Sequence, residues 1–189
     1  YLGQIRQIDA RSPNHTIALA CDSTVSVWGL NTNGQVGNGS TATAVSSPAE
    51  VLTGAQGDAG GFLKHVIQIC GGNASSYALL KTGEVMAWGD NSNGELGDGT
   101  TTQRTSPVYV TKSGGGNLTN VIQIRAGDNY CAALCSDGTV WTWGKNSNGQ
   151  LGQNNTTNLS VATQVYLDAA RTQPLTGITK IATGDTHIL

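Results

Sequence analysis

Residues 88–99 read WGDNSNGELGDG, and this stretch recurs as WGLNTNGQVGNG from Trp28 and as WGKNSNGQLGQN from Trp143. The three tryptophans are 60 and 55 residues apart. Self-similarity at such a period is the signature of a repeat architecture in which each copy forms one supersecondary unit. The sequence therefore predicts a tandem array of similar units.

The repeated similarity extends upstream of each tryptophan. VIQICGGN starts at Val66 and VIQIRAGDN at Val121, with weaker copies in ITKIATGDT from Ile178 and IRQIDARSPN from Ile5. Alternating apolar residues predict short strands, and Ser-Asp-Gly-Thr before VWTWG is a hairpin signal. The first unit has Asp22-Ser23-Thr24 at that place without glycine, which predicts a different or strained turn.

A unit of about 50 residues with roughly four short strands is typical of a propeller blade. The string WG-x-N-x-x-G-(Q/E)-(L/V)-G, present three times, resembles the regulator of chromosome condensation repeat family. The resemblance implies an all-β propeller of four-stranded antiparallel blades, about three and a half of them here, within a seven-bladed ring or an assembly. We expect one propeller segment over 1–189, with units at 1–61, 62–116 and 117–173 and a partial unit at 174–189.

Residues that recur in every unit are interpreted as the structural core. Repeated large apolar side chains pack between sheets, and repeated glycines serve turns and close contacts. This predicted core comprises Trp28, Trp88, Trp143, Leu19, Leu79, Leu134, Gly29, Gly89 and Gly144. Function is expected where the units differ, which is in residues 41–61, 101–119 and 154–174.

The sequence carries little chemistry for catalysis or metal binding. Its three histidines form no HxH or HExxH pattern, and His15 and His187 share one repeat position with Ser75 and Tyr130. The default interpretation of Cys21, Cys70, Cys131 and Cys135 is buried free thiols, with a bridge between blades left open. We expect no enzyme activity, no catalytic residue, no metal and no cofactor.

Composition narrows the class of partner. A net charge of −2 with scattered Lys and Arg argues against nucleic acid, and no apolar run is long enough for a membrane span. Sequons are more numerous than composition explains and favour an extracellular glycoprotein, with the cytoplasm or nucleus as the alternative. The candidate glycan sites are Asn14, Asn38, Asn73, Asn117, Asn154, Asn155 and Asn158.

The first functional hypothesis is a non-catalytic interaction module that presents variable loops to a protein or glycan partner. The resemblance implies a second hypothesis, nucleotide exchange on a small GTPase, for which no residue carries over. Inhibition of a secreted hydrolase by a propeller face is a third. Because an open arc of blades would expose apolar faces, we also expect either further blades in a longer chain or self-association.

Overall fold

The computed structural model describes residues 3–10, 12, 14–57 and 61–189, and it contains three four-stranded antiparallel sheets. The all-β prediction of four-stranded blades is confirmed. In each sheet the strands lie side by side in chain order, so every blade is a meander. Blade 1 contains β1 (Ile5–Asp9), β2 (His15–Ala20), β3 (Val25–Leu30) and β4 (Ala44–Glu50); blade 2 contains β5 (Val66–Gly71), β6 (Ser75–Leu80), β7 (Val85–Gly89) and β8 (Arg104–Tyr109); blade 3 contains β9 (Val121–Ala126), β10 (Tyr130–Cys135), β11 (Val140–Gly144) and β12 (Leu159–Gln164).

The turn between the second and third strands of each blade needs a left-handed residue. Gly83 and Gly138 supply it with φ of 86° and 79°. In blade 1 the same place is taken by Ser23 with φ of 71°, so the turn keeps its type and a non-glycine residue carries the strain. The Asp22 carboxylate supports this turn by accepting a 3.0 Å hydrogen bond from the Thr24 backbone N–H.

Most of the core lies between blades. The Trp88 indole of blade 2 sits on a loop of blade 1, where its N–H donates to the Gln35 carbonyl over 2.9 Å. A Cβ placed on Gly37 would lie 2.7 Å from Trp88 Nε1, so the indole can pack here only because residue 37 has no side chain. Gly97 and Trp143 repeat the contact between blades 2 and 3.

Trp28 has the same place in blade 1 but is half-buried, whereas Trp88 and Trp143 are fully buried. The covering loop always comes from the preceding blade, and blade 1 is the first blade among the described residues. The burial of this tryptophan therefore depends on a neighbouring blade and not on its own sheet.

Glutamine side chains connect the innermost strands of successive blades. The Gln7 amide donates to the Ile69 carbonyl over 2.8 Å and accepts from the Ile69 N–H over 3.0 Å. The Gln68 oxygen accepts from the Ile124 N–H over 2.9 Å. Gln123 repeats the two-way contact with Ile181, which places residues 178–184 as the first strand-like segment of a further unit.

Candidate interaction surface

The loops that join the first two strands of each blade meet around the inner edge of the sheets. The Asn73 N–H donates to the Asp128 carbonyl over 2.7 Å, and the Asp128 N–H donates to the Asp185 carbonyl over 3.3 Å. On the blade 1 side the Ser12 hydroxyl donates to the Asn73 carbonyl over 2.9 Å. A continuous chain of hydrogen bonds thus links the loops of four successive units.

These loops enclose a groove of about 470 Å³, which we call the axial groove. It is lined by Ser12, Gly71, Gly72, Asn73, Ala126, Gly127, Asp128, Thr183, Gly184 and Asp185. The glycines expose main chain, so the chemistry of the groove comes from the few side chains that interrupt them. Asp128 and Asp185 are exposed and contribute negative charge, which favours cationic or hydrogen-bond-donating groups of a partner.

The residue that starts the second strand supports each groove loop from below. In blade 3 this residue is Tyr130, whose hydroxyl oxygen lies 2.9 Å from the Gly184 carbonyl oxygen and 2.6 Å from the His187 carbonyl oxygen, so that the two carbonyls share its one proton. A Cβ on Gly127 would lie 2.0 Å from Tyr130 Cε1, so the ring occupies the space that a side chain would need. The pairings His15–Gly29, Ser75–Gly89 and Tyr130–Gly144 place the three side chains at one register position.

The described parts of the variable segments, residues 41–57, 61, 101–119 and 154–174, lie along the outer rim, away from the residues that line the axial groove. Gly39 N–H donates to the Thr105 carbonyl over 2.9 Å, and a Cβ on Gly54 would meet the Pro107 carbonyl oxygen at 2.1 Å. Lys112 pairs with Ala162 in an isolated bridge. The first two segments therefore pack, through Gly54 and Lys112, on the outer strand of the next blade, and part of their variation serves blade-to-blade contact.

The predicted structural core lies inside the blades, apart from the half-burial of Trp28. Leu19, Leu79 and Leu134 are at most 1% exposed. Gly29, Gly89 and Gly144 have φ of 114°, 107° and 101°, and a Cβ on each would collide with backbone of the adjacent strand. Apart from Trp28 and Gly29, which are partly exposed, these positions have no free surface with which to bind a ligand.

The side-chain amides of most sequon asparagines are already engaged in the fold. Asn14 donates to Asn73 Oδ1, Asn117 to Glu84, Asn155 to the Gln153 carbonyl and Asn158 to Asn93. Asn38 and Asn73 are half-buried and accept hydrogen bonds through their side-chain oxygens. Asn154 is exposed, as are Asn155 and Asn158, whose amides make the hydrogen bonds given above.

The cysteines are free thiols, and three of the four are buried while Cys21 is exposed. Burial raises the pKa of the Cys131 and Cys135 thiols, which lowers their reactivity. Within the described ranges no group of three or more His, Cys, Asp or Glu side chains is arranged to hold a metal ion. No helix in the described part of the chain reaches the length and hydropathy that a membrane crossing requires.

Sequence reasoning missed two sets of repeated polar residues. The first is the glutamine of the inner strands, which binds the backbone of the next blade. The second is the fourth residue of the WG-x-N string, which is fully buried and organises the loop after it: Asn31, Asn91 and Asn146. Their recurrence in three units was the available signal.

Comparison with known proteins places this geometry in a family. A sequence profile described as "Regulator of chromosome condensation (RCC1) repeat" matches residues 22–79, 82–134 and 137–189, and a second profile of that description matches residues 5–35, 66–95 and 121–150. The chain belongs to the RCC1 repeat family. The first profile begins at the hairpin turn of one blade and ends in the next, so each of its RCC1 repeats spans a joint between blades.

Human relatives of this RCC1-repeat chain include two ubiquitin ligases. It is 33% identical over 177 residues to the human protein named "Probable E3 ubiquitin-protein ligase HERC3", covering 93% of this chain and 15% of that one. It is 37% identical over 145 residues to the human "Probable E3 ubiquitin-protein ligase HERC6", covering 73% of this chain and 13% of that one. The chain thus spans about one seventh of the length of these relatives.

Solved RCC1-like structures share the fold. Human WBSCR16 superposes with a TM-score of 0.77 at 25% identity, covering 100% of this chain and 45% of that one. Prp20p of Saccharomyces cerevisiae, studied for its binding to Gsp1p and histones, superposes with a TM-score of 0.72 at 20% identity, covering 88% of this chain and 39% of that one.

Proposed function

We propose that this chain is a non-catalytic protein-interaction module that binds its partner at the axial groove. The observation that carries the proposal is the contrast between the two kinds of repeated position. Trp, Leu and Gly of the repeat core are identical in successive blades and, apart from Trp28 and Gly29, buried, whereas the groove position that follows the loop glycine holds Asn73, Asp128 and Asp185. A shared scaffold that varies its exposed side chains is suited to selective recognition of a protein surface.

The carboxylates define the partner's chemistry. Asp128 and Asp185 are exposed at the groove, and the residues described as lining it include no Lys or Arg. A complementary partner would present Lys, Arg or backbone N–H groups to this surface. Relatives that are ubiquitin ligases, together with Prp20p and its binding to Gsp1p and histones, support a regulatory partner in the cytoplasm or nucleus over an extracellular protein or a glycan.

The experiment is site-specific photo-crosslinking followed by charge reversal. A photoreactive phenylalanine analogue in place of Asn73 is expected to capture a partner, and the same analogue at the exposed rim residue Glu50 is not. Asp185→Lys should then weaken binding of the identified partner at least about tenfold, while Glu50→Lys leaves binding within about twofold. Equal binding by the two charge-reversal variants would reject the axial groove as the interaction surface.

A second candidate, favoured by the similarity to Prp20p, is stimulation of nucleotide exchange on a small GTPase. The assay is release of fluorescent GDP from a purified small GTPase with and without the chain. Acceleration that Asp185→Lys reduces would support this candidate. If release does not accelerate although a partner is captured at Asn73, exchange activity is rejected and the interaction module stands.

A further inference from the structure

His15 is a buried titratable side chain at the joint between blades 1 and 2. It is 4% exposed, and both of its ring nitrogens meet hydroxyl groups. Nδ1 lies 3.0 Å from Ser12 Oγ, and Nε2 lies 2.9 Å from Ser76 Oγ on β6 of blade 2. One side chain therefore connects a groove loop of blade 1 to the neighbouring blade.

The hydrogen bonds around the ring can pair either protonation state, so the burial of the ring decides between them. The Ser76 hydroxyl donates to the Gln35 carbonyl over 2.8 Å, so Ser76 Oγ accepts from the Nε2–H of His15. Nδ1 of the neutral ring can then accept from the Ser12 hydroxyl, which otherwise donates to the Asn73 carbonyl. Pairing Nδ1 of the neutral ring costs the bond from Ser12 to Asn73, whereas a charged ring could donate to both hydroxyl oxygens but would bury its charge at 4% exposure, and this desolvation favours the neutral ring.

We propose that His15 makes the joint between blades 1 and 2 an acid-sensitive latch, which loosens when the ring is protonated while the joint between blades 2 and 3 stays closed. The repeat itself supplies the contrast, since the equivalent side chain of blade 2 is Ser75. Ser12 and Asn73 also line the axial groove, so loosening the latch would change the shape of the groove. The latch does not depend on the groove being an interaction surface.

The net effect of the surroundings on the His15 ring favours its neutral form. Burial lowers the pKa of His15 from 6.5 to about 4, and Asp9 on β1 partly opposes this by stabilising the charged ring. The groups that face the ring from β5 and β6 are Gly71 and Ser76, which do not titrate. In the loop of blade 2, burial raises the pKa of Glu95, so acid neutralises that carboxyl and does not loosen its joint.

The size of the effect follows from linkage. A histidine whose folded pKa is depressed stabilises the closed state above its ordinary pKa, and this stability is lost as the pH falls from 6.5 towards 4. Between pH 7.5 and pH 5.0 the equilibrium constant for opening should rise about 30-fold.

The test is hydrogen–deuterium exchange at pH 7.5 and 5.0, corrected for intrinsic exchange rates. Protection of β1 and β2 should fall about 30-fold relative to β9 and β10. His15→Gln, which cannot be protonated, should abolish this difference, whereas Asp9→Asn should leave it within about 1.2-fold, because a folded pKa near 4 already lies well below pH 5.0. Equal loss of protection in all blades, or the same pH dependence in His15→Gln, would reject the latch.

Two further measurements keep the test decisive if His15→Gln fails to fold. The double variant Ser12→Gly with His15→Tyr copies the Gly127–Tyr130 pair of blade 3, and its β1 and β2 should lose no protection on acidification. An NMR titration of the His15 imidazole in the unmodified chain should give a midpoint near 4. A midpoint near the ordinary value of 6.5 would show that the ring is not held neutral by the joint, and would overturn the proposal.

Discussion

Replacement of Asn91 by alanine tests whether one buried amide organises the loop between β7 and β8. The Asn91 side-chain N–H₂ donates to the carbonyls of Thr100 and Thr102, each over 3.1 Å. Its oxygen accepts from the Leu96 backbone N–H over 2.9 Å. The side chain is fully buried, so water does not replace these bonds when the amide is removed.

The magnitude follows from those three bonds. The two bonds to the threonine carbonyls contribute about 1 kcal/mol net each, and the Leu96 N–H left without an acceptor costs about 1 to 3 kcal/mol. Asn91→Ala should therefore lower the free energy of unfolding by about 4 kcal/mol. Because Gly97 of the same loop packs against the Trp143 ring, the variant should also shift the fluorescence emission of Trp143.

The assay is equilibrium urea unfolding followed by tryptophan fluorescence, with Ser92→Ala as the matched control in the same loop. Ser92 is exposed and bonds only to its neighbours in the loop, so its replacement should change the free energy of unfolding by less than about 0.5 kcal/mol. A loss below about 1 kcal/mol in Asn91→Ala would refute the view that the amide is the organising group of this loop.

The other predictions concern burial, blade contacts and modification. Trp88→Ala should lower the free energy of unfolding by about 3 to 5 kcal/mol, and Trp28→Ala should lower it less because Trp28 is half-buried. Equal losses in urea unfolding would show that the loop of the preceding blade is not what buries the ring. Gln123→Ala should cost about 1 to 2 kcal/mol and speed amide exchange at Ile181, while an unchanged rate there would exclude the glutamine contact. If the chain passes through a secretory pathway, peptide mass spectrometry should find higher glycan occupancy at Asn154 than at the sequons whose amides are hydrogen-bonded. Sugar at Asn117 alone would contradict the accessibility argument.

Local patterns were sufficient to predict the blades. Trp-Gly, the Asp-Gly or Thr-Gly hairpin turns and the alternating inner strands are decided within a few residues of the chain, and the three sheets follow them. The turn at Ser23 was recognised as unusual for the same reason, since the absence of a glycine is visible in sequence and its φ of 71° is the consequence.

Contacts between blades could not be derived in this way. Gln68 reads as the polar residue of an alternating strand, and only the placement of the next blade turns its amide towards the Ile124 N–H. Trp28 and Trp88 have identical local patterns, yet their burial differs because the covering loop belongs to another blade. The sequence of a single repeat shows only those residues that make room for the neighbouring blade, such as Gly37, which leaves space for Trp88.

The axial groove was missed for a related reason. Variation was sought in segments whose length changes between units, and those segments lie on the outer rim. The groove loops have nearly constant length, because each must span the same short distance between the first two strands of its blade, and they vary only in single side chains such as Asn73, Asp128 and Asp185. In a repeat of fixed geometry, a change of side chain at a constant position alters the surface without altering the fold, and positions of this kind are where recognition by an RCC1-repeat module can diverge.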